Sequence, residues 1–223
     1  MTEREFLKSV PLFSRLGEPA LESILRLTRR RRFRKDDTIF HEKEAGDTLF
    51  VILHGRVKVA IFGDDGKEVT LSTLSEGDFF GELALLDQEP RSASVVAEED
   101  CELLSLNRDD FMRALEQDGG LSAALIQALA QRLRKANHQI STLALLDVYG
   151  RVARVIAELA EEEGRRLKDG RVVVRRPTHL EIAHRIGSSR ETVTRMMRDL
   201  EENGFIETQG REIFLRADFQ KLF

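Results

Sequence analysis

Hydrophobic residues recur in short runs along the first half of the chain, between residues 38 and 106. Val57, Val59 and Ile61 occupy every second position, which is the period of a strand with one buried face. A hairpin turn is indicated at residues 64–66, which read Asp-Asp-Gly. The runs predict strands at residues 48–53, 56–62, 68–74, 93–97 and 102–106. Many short strands with turns between them are typical of a sandwich, a barrel or a jelly roll.

Helical spacing replaces this pattern in two places. Leu21 and Ile24 belong to a helix predicted over residues 18–29, which leads into a basic run at residues 29–35. Residues 81–86 combine a glycine with good helix formers, so they predict one or two helical turns set into the strands.

A longer helical pattern begins beyond Asn107 and continues to Asp147. Apolar residues recur there at alternating steps of three and four, which is the spacing of a heptad seam. The seam consists of Ile126, Leu129, Leu133, Ala136, Ile140 and Leu143. A long helix with so narrow an apolar stripe predicts a parallel homodimer through this helix. The alternative is that the stripe packs only on its own domain.

A hinge at residues 147–150 separates this helix from the C-terminal part of the chain. There the pattern predicts a helix at residues 152–159, a charged loop at residues 161–170 and a strand at residues 171–174. Residues 207–215 contain a glycine turn and predict a final hairpin, or wing.

The segment before that hairpin has the pattern of two helices joined by a short turn. Thr178 and Glu181 form a capping box, which marks the start of the first helix. Gly187 ends that helix, and Ser188 or Ser189 starts the second. Two such helices form a helix-turn-helix, whose second helix normally enters the major groove of DNA.

Side chains suited to reading bases lie at the start of the second helix. An arginine forms a bidentate bond to guanine, and a carboxylate accepts a hydrogen bond from the cytosine amino group. We therefore assign base reading to Arg190, Glu191 and Arg195. Contacts to phosphate, which set the register without reading the sequence, are assigned to Thr178, His179, Ser189, Thr192 and Arg198. Glu191 has a second interpretation, because Ser188 and Glu191 also fit a capping box.

Charge supports a nucleic-acid partner once it is divided along the chain. The 223 residues carry a net charge of -4. Residues 151–223 hold 15 basic and 13 acidic side chains, whereas the preceding part holds 20 and 26. Between residues 175 and 198 six arginines face two glutamates. A local basic patch is a better signal for nucleic acid than the overall charge.

Composition argues against several other classes of protein. Hydrophobic residues make up 41% and charged residues 33%, the balance of a globular protein. A single cysteine, Cys101, excludes an intramolecular disulfide, and we expect it, Met196 and Met197 to be core residues. No apolar run approaches the roughly 20 residues that cross a bilayer, and no secretory signal is present. We therefore expect a cytoplasmic protein without a membrane partner, and the absence of catalytic, cofactor or metal-binding motifs argues against an enzyme.

The string Ser-Arg-Glu-Thr-Val at residues 189–193 resembles the recognition helix of the cyclic-AMP receptor protein and fumarate–nitrate reductase regulator superfamily of bacterial transcription factors. The resemblance covers nearly the whole chain, in particular with the cyclic-AMP receptor branch, and includes Leu-Ala-Leu-Leu-Asp-Val-Tyr-Gly-Arg at residues 143–151. It implies an α+β chain with a β-roll (jelly-roll) effector domain at residues 1–109, a long dimerisation helix at residues 110–147 and a winged helix-turn-helix at residues 148–223. It also implies a palindromic DNA site with TGTGA half-sites and RNA polymerase as a further partner.

The same resemblance implies a pocket for a cyclic nucleotide in the β-roll. The residues that match the family's phosphate-binding cassette are Gly81, Glu82, Leu83, Arg91, Ser92 and Ala93. Their chemistry fits, because a glycine at the start of a helix lets backbone N–H groups approach an anion. Arg91 can neutralise a phosphate and Ser92 adds a hydroxyl, while Glu82 can accept a hydrogen bond from a ribose hydroxyl. The spacing between the segment at residues 81–83 and the segment at residues 91–93 is one residue shorter here than in the best-known member of the family.

The positions expected to meet the base depart from the family pattern. The Thr-Ser pair that contacts adenine in the well-known cyclic-AMP binder falls here on Ala136 and Asn137. Alanine cannot form that hydrogen bond, but the Asn137 amide can bond to the amino group and ring nitrogens of adenine from the partner subunit. Cyclic AMP is therefore the leading effector, with cyclic GMP, a cyclic dinucleotide or no ligand as alternatives. A signalling module that does not bind DNA would leave the helix-turn-helix unexplained.

Overall fold

The structure is a computed structural model that describes residues 2–64 and 67–219. The chain divides into two compact units, one of residues 1–66 and 70–134 and the other of residues 67–69 and 135–223. The hairpin turn predicted at residues 64–66 depends on Asp65 and Gly66, which lie outside the described residues. None of the described helices combines the length and the apolarity needed to span a membrane.

The first unit is a β-roll with helices before, within and after it. Its helices are α1 (Glu3–Ser9), α2 (Glu18–Leu27), α3 (Glu82–Asp87), α4 (Arg108–Gln117) and α5 (Gly119–Leu145), the last of which continues into the second unit. Its strands are β1 (Arg29–Phe33), β2 (Thr38–Phe40), β3 (Thr48–His54), β4 (Val57–Phe62), β5 (Glu68–Leu74, of which Glu68 and Val69 are grouped with the second unit), β6 (Phe79–Phe80), β7 (Ser94–Ala97) and β8 (Cys101–Asn107). The five strands predicted from hydrophobic alternation correspond to β3, β4, β5, β7 and β8, to within one residue at each end.

The eight strands form two four-stranded sheets, in the orders β1-β8-β3-β6 and β2-β7-β4-β5. Leu49, Val51 and Leu104 of the first sheet lie in one core with the helices. Phe50 and Ile52 point into a second core with residues from the other sheet. Because successive side chains of a strand point to opposite faces, β3 has apolar residues on both sides and supplies both cores.

The basic run at residues 29–35 forms the edge strand β1, which pairs antiparallel with β8. Glu102 of β8 accepts from Arg30 at 3.1 Å and from Arg32 at 2.6 Å. The sequence pattern contained no strand signal here, since four consecutive arginines show no alternation. An edge strand tolerates such charge because its outer side faces no neighbour in the sheet.

The helical stretch predicted over residues 110–147 is two helices, not one. α4 ends at Gln117, and α5 begins at Gly119 and runs for 27 residues. Asp118 between them has extended backbone angles (φ -129°, ψ 104°), and its carboxylate accepts a hydrogen bond from the N–H of Leu121 at 3.0 Å. The periodicity passes through the break because Phe111 of α4 and Leu121 of α5 are buried in the same core.

The second unit is a winged helix-turn-helix. Its elements are α6 (Val148–Glu162), β9 (Arg165–Arg166), β10 (Val172–Arg175), α7 (His179–Ile186), α8 (Arg190–Glu202), β11 (Ile206–Gln209) and β12 (Glu212–Leu215). The strands form one sheet in the order β11-β12-β10-β9. The predicted helix, strand, helix pair and wing are confirmed. Two segments differ: the hinge predicted at residues 147–150 is mostly helical, because α6 begins at Val148 directly after its N-cap Asp147, and the loop predicted at residues 161–170 contains the end of α6 and β9. The α+β fold class is therefore confirmed.

Cys101, Met196 and Met197 lie in or against the cores, as the sequence predicts. Cys101 is buried and burial raises the pKa of its thiol, so it behaves as a small core residue. Met197 is buried, and Met196 packs against the same core of the second unit.

Candidate effector pocket and nucleic-acid interface

Gly81 forms the sharp turn from β6 into α3. Its backbone is left-handed, with φ of 85°, a conformation that costs glycine least. A Cβ at this position would lie 2.7 Å from Nη1 of Arg91 and 2.9 Å from the carbonyl oxygen of Thr48. The glycine is therefore needed both for the turn and for the close approach of the Arg91 guanidinium.

The Arg91 side chain is only 5% exposed and is held on three sides. Nη1 donates to the carbonyl of Gly81 and Nη2 to that of Thr48, each at 2.8 Å. The guanidinium carbon lies 4.1 Å from the centre of the Phe40 ring, within the range of a cation–π contact. Among the described residues its Nε atom is buried without a hydrogen-bond partner. A buried cation with a free donor is suited to an incoming anion.

The electrostatic surroundings of Arg91 combine burial with nearby carboxylates. Burial lowers the pKa of Arg91, and the carboxylates of Asp47, Glu82 and Glu44 oppose that effect. Since an arginine remains protonated in proteins, the side chain keeps its positive charge inside the β-roll.

Glu82, expected at a ribose, is buried and forms an ion pair with the half-buried Arg132 of α5. The Glu82 side chain is 3% exposed, and Arg132 Nη1 donates to its Oε1 at 2.6 Å. Arg132 also donates through Nη2 to the carbonyl of Phe79 and lies over the Phe79 ring at 4.5 Å. Arg132 was not among the predicted site residues, because the sequence pattern showed it only as a basic residue beside the apolar seam. The ion pair joins the candidate pocket directly to the long helix.

The other predicted effector residues differ in their accessibility. Leu83 is 44% exposed and Ala93 is buried, while the Ser92 side chain is exposed beside the buried Arg91. Asn137 is exposed on the part of α5 that belongs to the second unit. Within the first unit the structure thus brings Gly81, Glu82 and Arg91 together; the base contact assigned to Asn137 stays a prediction.

The capping signals place the two helices of the helix-turn-helix. The Thr178 hydroxyl accepts from the N–H of Glu181 at 3.1 Å, and the Glu181 carboxylate accepts in return from the N–H of Thr178. Gly187 ends α7 in a left-handed conformation with φ of 61°. Ser189 caps α8 by accepting from the N–H of Thr192 at 3.2 Å. The predicted boundaries of both helices are confirmed.

One face of α8 is buried and the other is open. Val193, Met197 and Leu200 lie in the core of the unit. The side chains predicted to read bases are all exposed: Arg190, Glu191 and Arg195. Of the residues predicted to contact phosphate, Thr178, Ser189 and Arg198 are exposed, whereas His179 and Thr192 are half-buried. The open face therefore presents a row of hydrogen-bonding groups of the kind that reads a DNA groove.

The alternative in which Ser188 and Glu191 form a capping box is wrong, because Ser189 is the N-cap. The Glu191 carboxylate still lies close to the helix start. Hydrogen bonds from its own backbone N–H and from the Ser189 hydroxyl lower its pKa. Glu191 is therefore an anion held over the first turn of α8, at its exposed end.

His179 links α7 to the recognition helix. Its Nδ1 lies 2.8 Å from the Thr194 hydroxyl, which donates to the carbonyl of Arg190 at 2.9 Å. Nε2 lies 3.4 Å from Nη2 of Arg176. Burial, together with the charges of Arg176 and Arg190, lowers the pKa of His179. In the uncharged form Nδ1–H donates to Thr194 and Nε2 accepts from Arg176.

An exposed apolar stripe runs along α5. Ile126, Leu133 and Ile140 are spaced by seven residues and are 62–66% exposed. Leu143 and Leu145 continue the exposed apolar surface. Leu129 of the predicted seam is turned inward, since it packs against the core of the first unit. The narrow stripe is what a coiled-coil partner requires.

A β-roll with a buried arginine beside a short helix, followed by a winged helix-turn-helix with an exposed second helix, is the architecture of a ligand-responsive transcription regulator. Residues 30–118 match the family of cyclic nucleotide-binding domains. Residues 150–222 match the Crp-like helix-turn-helix domain. The chain belongs to the family of the cyclic-AMP receptor protein and the fumarate–nitrate reductase regulator.

Relatives cover almost the whole chain. It is 36% identical over 196 residues to the cAMP-activated global transcriptional regulator Vfr of Pseudomonas aeruginosa, an alignment that covers 86% of this chain and 91% of that protein. The CRP-like cAMP-activated global transcriptional regulator of Mycobacterium tuberculosis is 31% identical over 218 residues, covering 98% and 97%.

Solved structures with the same fold include two bacterial regulators. The c-di-GMP responsive global regulator CLP of Xanthomonas campestris superposes with a TM-score of 0.78 at 25% identity, covering 89% of this chain and 99% of that one. The catabolite activator protein of Thermus thermophilus has a TM-score of 0.55 at 32% identity, covering 93% and 94%.

Proposed function

We propose that this protein is a homodimeric transcription regulator that is gated allosterically by cyclic AMP and binds a palindrome with TGTGA half-sites. The observation that carries the proposal is the contact of Glu82 with Arg132, since it connects the candidate ribose site to the helix proposed to form the dimer. Its DNA-binding class follows from the family, whereas the effector, the palindrome and the dimer are our proposals.

The effector is proposed from the chemistry of these side chains. Arg91 offers a buried positive charge to a phosphate, and Glu82 offers a carboxylate to a ribose hydroxyl. Two relatives are described as cAMP-activated, which favours cyclic AMP. A structural neighbour is described as responsive to c-di-GMP, so cyclic GMP and a cyclic dinucleotide are the alternative effectors. Recognition of adenine is assigned to Asn137.

Gating is proposed to act through Glu82. Arg132 of α5 donates to Oε1 of Glu82. A ribose hydroxyl that donates to the same carboxylate would change the charge that Arg132 meets, and so couple the effector to the attachment of α5 to the β-roll. An effector shifts the balance between two states only when it binds one of them more tightly. We propose that cyclic AMP binds the DNA-competent state more tightly.

DNA reading is assigned to the open face of α8. A dimer places two recognition helices on half-sites about 34 Å apart, which is one turn of the duplex. Arg190 and Arg195 suit guanine, and Glu191 suits cytosine. Polymerase is the further protein partner we propose.

The experiment that tests this function is a fluorescence-anisotropy titration at fixed salt. A duplex with the TGTGA palindrome and a scrambled duplex are each titrated with and without cyclic AMP. We expect palindrome-specific binding that tightens when cyclic AMP is added. Equal specific binding with and without cyclic AMP would support a ligand-independent regulator, which is the alternative that Ala136 favours. Tighter binding with cyclic GMP or a cyclic dinucleotide instead of cyclic AMP would reassign the effector. Failure to distinguish the two duplexes would contradict the DNA assignment.

Replacing Arg190 with alanine is expected to weaken binding to the palindrome by about 1 to 3 kcal/mol, because a bidentate contact to one guanine is lost. Base preference at that guanine should also relax. Binding to a library of single-base variants measures both effects. Arg198→Ala is the matched comparison: as a phosphate contact it should weaken binding to all variants alike. An unchanged base preference in Arg190→Ala would show that another side chain reads this guanine.

A further inference from the structure

The short helix α3 begins with Glu82 and directly follows Gly81. The position of α3 therefore determines the positions of these two proposed effector contacts. It has six residues, too few for a helix that is stable by itself. Its place in the fold must therefore come from contacts with other elements. At its N-terminal side, Arg91 holds the carbonyl of Gly81 at 2.8 Å.

The C-terminal side of α3 is held by a second arginine. Nε of Arg108 donates to the carbonyl of Leu85 at 2.9 Å, across 23 residues of sequence. The last carbonyls of a helix lack partners within the helix, and a cation is favourable at this end of the helix dipole. Leu85 itself is fully buried in the first core, so its carbonyl has little access to water.

Arg108 is itself fixed at its backbone. It is the first residue of α4, directly after the N-cap Asn107, whose side chain accepts from the N–H of Asp110 at 2.9 Å. The N–H of Arg108 donates to the carbonyl of Asp47 at 2.7 Å. The next residue along, Thr48, is the one whose carbonyl receives Nη2 of Arg91. The two arginines thus hold opposite ends of α3 and are both anchored at residues 47–48.

We propose that Arg108 is a positioning residue of the effector pocket. It holds the C-terminal end of α3 so that Glu82 and the first backbone N–H groups meet the nucleotide in one orientation. It also connects α3 to α4, and any displacement of α3 by the effector therefore reaches the helix that precedes α5. The identity of the ligand rests on the proposed function. The clamp, by which we mean the hold of Arg91 and Arg108 on the two ends of α3, rests on this structure alone.

Two measurements on the full-length protein test the proposal, with Arg108→Gln as the variant. Isothermal titration with cyclic AMP should show an affinity about 10-fold lower than that of the wild type, the scale expected for one charge-assisted hydrogen bond. Hydrogen exchange of the ligand-free protein should show faster exchange at the amides of α3, while the amides of α7 and α8 exchange as before. The unfolding temperature is recorded for every variant.

Arg113→Gln is the matched control, because Arg113 lies on the same helix, is exposed and pairs with Asp110. It should bind cyclic AMP like the wild type. Arg108→Lys keeps a charged donor and should restore the affinity to within about threefold, since lysine can reach a single carbonyl.

The outcomes separate this inference from the proposed function. If the wild type binds no cyclic AMP, the proposed effector fails, and faster exchange in α3 of Arg108→Gln still supports the clamp. If the wild type binds and Arg108→Gln binds equally well, the positioning role is overturned. Loss of affinity with faster exchange throughout the chain and a lower unfolding temperature would also overturn it, because it would indicate a general loss of stability.

Discussion

Replacing Arg91 with glutamine is expected to lower the affinity for cyclic AMP by at least about 100-fold, equivalent to about 2.7 kcal/mol. The substitution removes the buried positive charge and the fork of donors that a phosphate requires. It also leaves the carbonyls of Gly81 and Thr48 without the Arg91 donors that bind them at 2.8 Å. Buried polar groups that lose their partners cost about 1 to 3 kcal/mol each. Isothermal titration with cyclic AMP measures the effect.

Two companion variants make this prediction specific. Arg91→Lys keeps the charge without the planar fork and should recover only part of the affinity. Arg56→Gln removes an exposed arginine of the same unit, one that pairs with Glu98 at 2.9 Å, and should bind like the wild type. Arg91→Gln that folds normally and binds cyclic AMP within threefold of the wild type would place the phosphate elsewhere. The unfolding temperature of each variant reports whether the β-roll is intact.

A glutamate in place of Leu133 is expected to separate the dimer and to lower palindrome binding by more than about 100-fold at submicromolar protein concentration. Leu133 is the middle residue of the exposed seven-residue repeat, at 62% exposure in the single chain. Two copies of the chain would place two carboxylates at one level of the apolar seam, and burying unpaired charges costs several kcal/mol. A monomer presents one recognition helix and loses the second half-site. Sedimentation velocity and anisotropy titration measure the two effects.

Gln131→Glu is the control for the added charge on the same helix. Gln131 is exposed two residues before Leu133, at the heptad position farthest from the seam. It should remain dimeric and should bind the palindrome like the wild type. A Leu133→Glu protein that sediments and binds as the wild type does would show that the dimer, if formed, does not use this stripe.

Local signals in the sequence predicted the elements of this fold with little error. The strand at residues 68–74 has the predicted bounds, and the Thr178–Glu181 capping box and the turn at Gly187 are where the pattern indicates. Such signals work because the contacts that produce them join residues a few positions apart. Two of the errors occurred where this locality was lost, at the basic edge strand β1 and at the break at Asp118.

The candidate site divides in the same way. The kinds of side chain in the candidate site were visible in the sequence. A glycine and a glutamate at the start of a short helix, an arginine ten residues after the glycine and the string at residues 189–193 could be matched to a known family. The geometry was not visible. Nothing in the amino-acid sequence indicates that the Phe40 ring lies against Arg91, or that Arg108 donates to the Leu85 carbonyl.

The sequence by itself therefore determined the order of the elements, the class of protein and the side chains that can meet a nucleotide or a base. Only the tertiary structure decided that Glu82 is held by Arg132, 50 residues away, and that α3 is anchored at both ends. The physical reason is the range of the interactions. Periodicity, capping and turn residues act over one or two helical turns, whereas an ion pair between residues 50 positions apart forms only after packing has brought two distant segments of the chain together.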